Sequence, residues 1–552
     1  MKEKIATQVA DILNIEKDNI EIQSSINADF GDFSIPCFAF AKILRNSPQN
    51  IAQKLVDTFN MPEVDHTTAV NGYFNIFLSK QLLFADILNS INTSENYGSS
   101  NSGKGKSVFI EHTSINPNAS PHIGRARNAL IGDGITRLLK FEGYNVDVHY
   151  FVNDIGKQIA MLVLAVNGNK DLKFDEVLDL YVKIYEEVKE NPELEQKVFG
   201  LLHELENGNA EVKEQFRDVV NTCLNGQVSI LNELGINYDH FDYESNYLFN
   251  GRLSEILKDL EKTGHLFEDE TGRLVIDQHD YNIPLEEPYL VVTRNDKTSL
   301  YPLRDIAYTI DKVNTKCDRN IVVLGEDQKT YFLQIAAALK MLGFDAPEMI
   351  NYSFVLLTDG KMSTRQGKVV LLEDFMKEAL QKVSNSLMER YGEVDIEDAK
   401  KIAYGSVKYA ILKTSSERNV IFDWNNVLSF EGDSSLYIQY NYARIMSILN
   451  KKQPADNIDF SLLNTDAEYE LVKKLAEFKK IIEKCISSLS LNGIASYVYS
   501  LTKMFSKYYN EYKIIDEENP EVTNSRLYLA KAVSKVIKNG LGILGIEVLD
   551  KI

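Results

Sequence analysis

Cysteine is scarce in this chain: Cys37, Cys223, Cys317 and Cys485 are the four among 552 residues. They lie far apart, none forms a CxxC pair, and no histidine cluster accompanies them in the sequence. That spacing excludes a disulfide framework and a cysteine-based zinc module, so neither zinc nor any metal ligand is expected. Long apolar runs are missing too, and none approaches the length that crosses a bilayer. The first thirteen residues mix Lys2, Glu3, Lys4 and Asp11 with apolar positions. This is the pattern of an amphipathic helix rather than a secretory leader, and a cytosolic chain without a membrane partner is the expectation. Positive charge is in deficit. The formal net charge of −20 argues against indiscriminate binding to nucleic acid. The deficit is uneven, because residues 471–552 hold 13 Lys and Arg against 9 Asp and Glu. That tail is the best-placed segment to meet phosphates.

What is present is ordinary for globular protein: 44% hydrophobic and 25% charged residues. The length calls for three or four cores, and three blocks can be separated. Residues 1–98 show helical segments, one at 48–59 with Ser47 as N-cap and Pro48 in the first turn, and an alternating strand at 73–78. They read as a small α/β domain that ends in a Ser-, Asn- and Gly-rich linker, 92–107. Residues 99–374 alternate strand and helix. A strand at 108–110 leads through a polar loop to a helix from Ile123, with Gly143 placed to end it, and a strand follows at 146–151. The pattern returns at 321–324, with a helix to Leu342 and a strand at 352–357. This is a doubly wound parallel sheet, interrupted by charged, helix-like sequence at 162–234. Residues 375–552 are helical in pattern. They include one stripe from Leu471 through Leu475, Phe478 and Ile482 to Cys485, and a helix at 527–539 with Gly540 as its C-cap candidate.

Two loops carry the chemistry. The first, residues 111–127 (EHTSINPNASPHIGRAR), joins a strand to a helix N-terminus. Free backbone N–H groups and the helix dipole favour a phosphate there. Gly124 permits close approach of a ligand, and His122 can donate to a phosphoryl oxygen. Alone, such a turn is weak evidence, since a solvated loop histidine is commoner. The second follows the strand at 352–357 and reads TDGKMSTRQG. A loop bearing Lys, Ser and Arg can close over a triphosphate and neutralise departing pyrophosphate. Two phosphate-type loops in the two halves of one sheet make ordinary charged turns a poor account of both.

At this point the chain resembles a class I aminoacyl-tRNA synthetase. HIGR at 122–125 is similar to that class's HIGH motif and KMSTR at 361–365 to its KMSKS motif. The stretches NDIGKQ at 153–158, SLYPLRDIAY at 299–308, YIQYNYARI at 437–445 and RLYLAKAVSKVIKNGLGILGI at 526–546 resemble the arginyl-tRNA synthetase family. The likeness runs nearly end to end and includes DFGDFSIPCFAFAK and GYFNIFL in the first block. It implies a Rossmann-like catalytic domain with a helical insertion, an N-terminal domain on the tRNA elbow and an all-α anticodon-binding domain. The implied reaction joins arginine to tRNA(Arg) through arginyl-adenylate. ATP is the substrate, Mg²⁺ sits on its phosphates, and tRNA is bound before activation. A monomer is expected.

The resemblance also assigns residues. Glu111, Ser114, Asn116, Tyr301, Asp305 and Gln328 fall in the arginine pocket, where planar carboxylates suit a guanidinium. Asn118, Gly325, Asp327 and Met362 join His122, Gly124, Lys361 and Ser363 around ATP. The catalytic positions are His122, Gly124, Arg125, Lys361, Ser363 and Arg365. Tyr73 and Asn75 match the elbow site, and Tyr437, Tyr440 and Arg444 the anticodon site. A half-buried strand and an aromatic core stripe are the ordinary alternatives for these two groups. The chain also departs from the family pattern. Arg125 replaces the second His of HIGH, and Thr364 the second Lys of KMSKS. Ala119 stands where related enzymes carry a compensating lysine. Arg125 and Arg365 are expected to supply the missing charge, with Arg127 and Lys368 nearby. Another class I synthetase, a cofactor-making nucleotidyltransferase and a non-catalytic tRNA-binding relative are the rival readings. The guanidinium-type carboxylates, the two flanking domains and the intact motifs disfavour them in turn.

Overall fold

The computed structural model describes residues 1–24, 30–357 and 370–552. The described chain divides into two compact units. The first combines Met1–Tyr97, Ile445–Glu477 and Lys503–Val536. Its N-terminal part holds an antiparallel sheet in the order β1 (Gln23–Ser24), β2 (Phe33–Pro36), β4 (Tyr73–Leu78), β3 (Val64–Val70). The helices Lys2–Leu13 and Pro48–Thr58 supply Ile5, Val9, Ile51 and Leu55 to its core against Ile35, Phe74 and Ile76. Ser47 caps the second helix as the sequence predicts, its Oγ accepting from the Asn50 amide at 3.2 Å. The rest of this unit is helical.

The second unit combines Gly98–Arg444, Phe478–Thr502 and Ile537–Ile552. Its centre is a five-stranded, wholly parallel sheet of β5 (Ser107–Glu111), β6 (Asn145–Val152), β7 (His240–Tyr243), β11 (Arg319–Gly325) and β12 (Glu348–Tyr352). The order β12-β11-β5-β6-β7 is the doubly wound arrangement expected. An antiparallel meander of β8 (Leu266–Glu268), β9 (Leu274–Asp277) and β10 (Tyr289–Val291) precedes β11. The central strands read as apolar runs because both faces are covered. The helix Ile123–Phe141 buries most of its residues. Gly132 and Gly134 permit that approach, since a Cβ on them would lie 2.2 Å from the His112 ring and 2.4 Å from Leu491. Between β6 and β7 the chain forms helices Phe174–Glu190, Pro192–Glu206 and Ala210–Asn232. They pack with Lys157–Val166 around Val198, Phe216 and Cys223, the insertion that the sequence predicts.

Four local expectations are corrected. The strand predicted at 352–357 is two strands in two sheets: β12 ends at Tyr352, and β13 (Val355–Leu357) pairs with β14 (Val420–Phe422). The break falls where the buried Arg127 takes the carbonyls of Ser353 and Phe354 at 2.6 and 3.2 Å. The stripe from Leu471 to Cys485 belongs to two helices, Asp466–Ala476 and Phe478–Ser488. Gly540 does not cap its helix, which runs Pro520–Ile543. It is the close-approach point for Val498, 2.4 Å from where a Cβ would sit. The linker at 92–107 is anchored, because the amides and hydroxyls of Ser100 and Ser102 all donate to the buried Glu142 carboxylate.

Candidate active site

The site forms where β5 and β11 end and the chain leaves the sheet, the place where parallel sheets hold ligands. Beyond Glu111 the backbone turns sharply. Thr113 and Ser114 adopt φ of 84° and 55°, a costly conformation for a β-branched threonine and one typical of functional turns. It is held by the Asn128 side chain, which accepts from the Thr113 amide at 2.6 Å, and by a 2.7 Å bond between Thr113 Oγ1 and the Tyr238 hydroxyl. The helix Tyr301–Asn314 faces this turn and carries Asp305, Tyr308, Thr309 and Lys312 at helical spacing on one side. Together they enclose a cavity of about 130 Å³. Its lining includes Glu111, Ser114, Arg125, Asn153, Asp305, Lys312, Gln328 and Tyr331.

Charge in this cavity is unevenly compensated. Glu111 is buried against Lys312 with an Oε2–Nζ distance of 2.5 Å. Glu244 pairs with Arg304 at 2.6 Å. Asp305 has no ion-pair partner among the described residues; its carboxylate accepts from the Tyr331 hydroxyl at 2.5 Å. Burial, with the Glu244 and Glu111 carboxylates adding to it, pushes the Asp305 carboxyl up to about 7 against the Tyr331 hydrogen bond and Arg304. A carboxyl this far from its ordinary value, with no cation paired to it, wants one. Tyr301 is exposed, its ring 5.4 Å from that of Tyr331. Asn116 and Asn118 meet on Gln158, whose Oε1 accepts from them at 3.4 and 3.0 Å, and Asn153 donates to Asn116 Oδ1 at 3.0 Å.

At the other end of the turn, His122 caps the helix Ile123–Phe141, its Nδ1 accepting from the Arg125 amide at 3.4 Å. Burial, and then Arg125, lower its pKa. The ring is therefore neutral at pH 7, and with Nδ1 as acceptor its proton sits on Nε2. Gly124 packs below this ring: a Cβ there would lie 3.0 Å from His122. Gly325 closes β11 and donates to Gln328 Oε1 at 3.3 Å, and a Cβ there would displace the Asp327 carboxylate, 2.5 Å away. Arg125 lines the cavity, and its charge acts on the neighbouring Tyr352 hydroxyl. Arg127, expected among the available cations, is not one. It is fully buried and donates to three backbone carbonyls, those of Ser353, Phe354 and Ser415. Lys361, Met362, Ser363 and Arg365, with Thr364 and Lys368, lie outside the described residues.

The comparisons with known proteins agree with this geometry. Residues 87–424 match the family described as tRNA synthetases class I (R), catalytic domain. The chain belongs to the arginyl-tRNA synthetases. Residues 1–78 match the arginyl tRNA synthetase N terminal domain and residues 438–552 the DALR anticodon binding domain. The arginine–tRNA ligase of Methanocaldococcus jannaschii is 36% identical over 99% of this chain and 97% of its own length. That of Clostridium perfringens is 33% identical over 100% of this chain and 99% of its own. The arginyl-tRNA synthetase of Thermus thermophilus superposes with a TM-score of 0.79 at 26% identity, each chain wholly covered.

The family's expected tRNA contacts are placed as follows. Tyr73 is 37% exposed and edge-on to the exposed Phe38 at 5.4 Å. Asn75 is buried, its Oδ1 accepting from Ser34 at 2.7 Å. On the helix Ser435–Lys451, Tyr437, Tyr440 and Arg444 share a half-buried face rather than its buried side, which carries Ile438, Tyr442 and Ile445. The Arg444 and Arg390 guanidiniums lie over the Tyr440 ring at 5.0 and 5.5 Å, and Tyr437 is edge-on to Tyr499 at 5.9 Å. Among the cavity residues that sequence reasoning missed are Tyr331, Lys312 and Tyr308. Tyr331 has no local signal, because it comes from another helix. Lys312 and Tyr308 had one: they stand seven and three residues beyond Asp305, the spacing of one helix face.

Proposed function

We propose that this chain activates L-arginine with ATP and transfers it to tRNA(Arg), with Asp305 as the principal partner of the guanidinium. The observation that carries this reading is the uncompensated Asp305 carboxyl in the cavity wall, near two carboxylates that already have cations. A guanidinium supplies the missing charge and a planar hydrogen-bonding edge. Glu111 shares that charge, with Lys312 as its own counter-ion. The α-amino group goes to the Asn116 and Ser114 end. The substrate carboxylate then faces the His122–Arg125 turn, attacks the α-phosphorus of ATP in line, and releases pyrophosphate. The His122 Nε2–H and the helix N-terminus stabilise charge on the phosphates. In the second step the 2′-hydroxyl of the terminal adenosine attacks the activated carbonyl, and AMP leaves. Mg²⁺ accompanies the nucleotide as part of the substrate. We place the reaction in the cytosol, carried out by a monomer. Charging and pyrophosphate exchange with each amino acid, with and without tRNA, test the assignment; lysine or glutamate working as well as arginine overturns it.

The raised Asp305 pKa has a measurable sign. Below pH about 7 the free enzyme holds a proton on this carboxyl, and an arriving guanidinium expels it. Arginine affinity is expected to rise as pH increases toward 7 and to level off above it. Calorimetry at about pH 6 in buffers of different ionisation heat should show proton release. Proton uptake on binding contradicts the assignment. For tRNA, Tyr437→Ala and Tyr440→Ala should each raise the KM for tRNA by the equivalent of roughly 1–3 kcal/mol, the cost of a lost base stack. Because both rings are half-exposed, the variants should keep the parental Tm. Unfolding instead would return them to a purely structural role.

A further inference from the structure

The edge of the parallel sheet carries a second polar cluster. Asp147 and His149 stand two residues apart on one face of β6, and His149 pairs in register with His240 on β7. One ligand atom from each of Asp147, His149 and His240 lies within 4.8 Å of the others. His149 Nε2 is 3.4 Å from one Asp147 oxygen, and His240 Nε2 is 3.0 Å from the other. A tetrahedral site with metal–ligand bonds of about 2.0–2.1 Å has edges of about 3.3 Å, and each histidine Nε2 stands at about that distance from one or other of the Asp147 oxygens.

The surroundings of His149 point the same way. The residue is 8% exposed, stacked on Phe109 with ring centroids 3.7 Å apart, and its buried Nε2 has no hydrogen-bond partner among the described residues. A stranded nitrogen of this kind is costly unless something binds it. Its Nδ1 lies 2.8 Å from Asp242 Oδ2, which also accepts from the Tyr308 hydroxyl at 2.7 Å. A carboxylate on Nδ1 favours the proton there and leaves the Nε2 lone pair on the Asp147 side, while the His240 ring stacks on that of His149 with centroids 4.7 Å apart. A carboxylate behind the ring is how proteins orient a metal-ligating histidine.

The geometry points to a divalent-metal site of the zinc class at Asp147, His149 and His240, with Asp242 as the positioning carboxylate. Two imidazoles and one carboxylate suit Zn²⁺ and leave a fourth position for water. The ion would tie the edge strand β7 to β6. The site draws on none of the cysteines, and its positioning carboxylate, Asp242, touches the wall of the arginine cavity through the Tyr308 hydroxyl.

His240 and Asp147 are about half-exposed at the side chain, so they can be replaced without opening the core. Tag-free full-length protein, stripped with a chelator, should take up one equivalent of Zn²⁺ in a calorimetric titration and gain in Tm. Co²⁺ in its place should give the visible absorption of a four-coordinate nitrogen–oxygen site. His240→Ala and Asp147→Asn should abolish uptake while arginine charging stays at the parental rate, which shows that they are folded. Asp242→Asn should weaken uptake by about 10- to 100-fold. No saturable uptake by the parent protein overturns the proposal, and so does uptake that survives both His240→Ala and Asp147→Asn.

Discussion

Arg125→Ala is expected to slow arginyl-adenylate formation on the order of 100-fold or more, the usual cost of removing a preorganised donor to developing charge. The second lysine expected in the KMSKS motif is replaced here by Thr364, and the position expected to compensate for it holds Ala119. Pyrophosphate leaving a buried site must still be stabilised. Arg125 sits in the first turn of the helix that His122 caps, lines the cavity, and forms no ion pair among the described residues. Arg127, two residues on, is bound to three carbonyls. Burial also lowers the Arg127 pKa to about 10, and it has no freedom to reach a phosphate. Guanidinium remains charged and can hold two phosphate oxygens at once. Single-turnover adenylate formation with tRNA present is the measurement, and Arg365→Ala is expected to behave alike. Arginine affinity should stay near the parental value. Rates within a few-fold of the parent for both variants would show that the missing charge comes from elsewhere.

Asp305→Ala should raise the KM for arginine by the equivalent of roughly 1.5–3 kcal/mol, the worth of a charge-assisted hydrogen bond, and leave the KM for ATP nearly unchanged. Removing the carboxyl also leaves the Tyr331 hydroxyl without its acceptor. Asp305→Asn separates the two effects, because the amide oxygen can still accept from Tyr331 while the charge is gone. Both variants should lose the pH dependence of arginine binding assigned to this group. An arginine KM unchanged in Asp305→Asn would move recognition of the guanidinium to Glu111, and Lys312 would then have to leave.

Much of this was legible before any coordinates. Ser47 and Pro48 mark a helix start because a hydroxyl acceptor and a ring without an N–H both suit a first turn. The strands at 108–110, 146–151 and 321–324 are apolar runs because a central parallel strand is covered on both faces. HIGR and KMSTR are contiguous, so their chemistry is visible in one dimension. Other features were hidden for the same kind of reason. The split at Ser353 depends on a guanidinium 226 residues away in sequence. Gly540 was read as a cap by its place near a helix end, when the close approach of Val498 explains it.

The sequence by itself determined the alternation of strand and helix, the family, and the amino-acid class its carboxylates suit. These follow from local periodicity and short motifs, which depend on neighbours a few residues apart. Only the tertiary structure decided how charge is shared in the pocket. Lys312 neutralises Glu111 and Arg304 neutralises Glu244, so Asp305 is left with a phenol and a raised pKa. It also brought His240 beside Asp147 and His149, about ninety residues away along the chain. Electrostatic interaction and metal coordination act through a few ångströms of space, and the parallel sheet that makes these groups neighbours is itself a product of long-range packing.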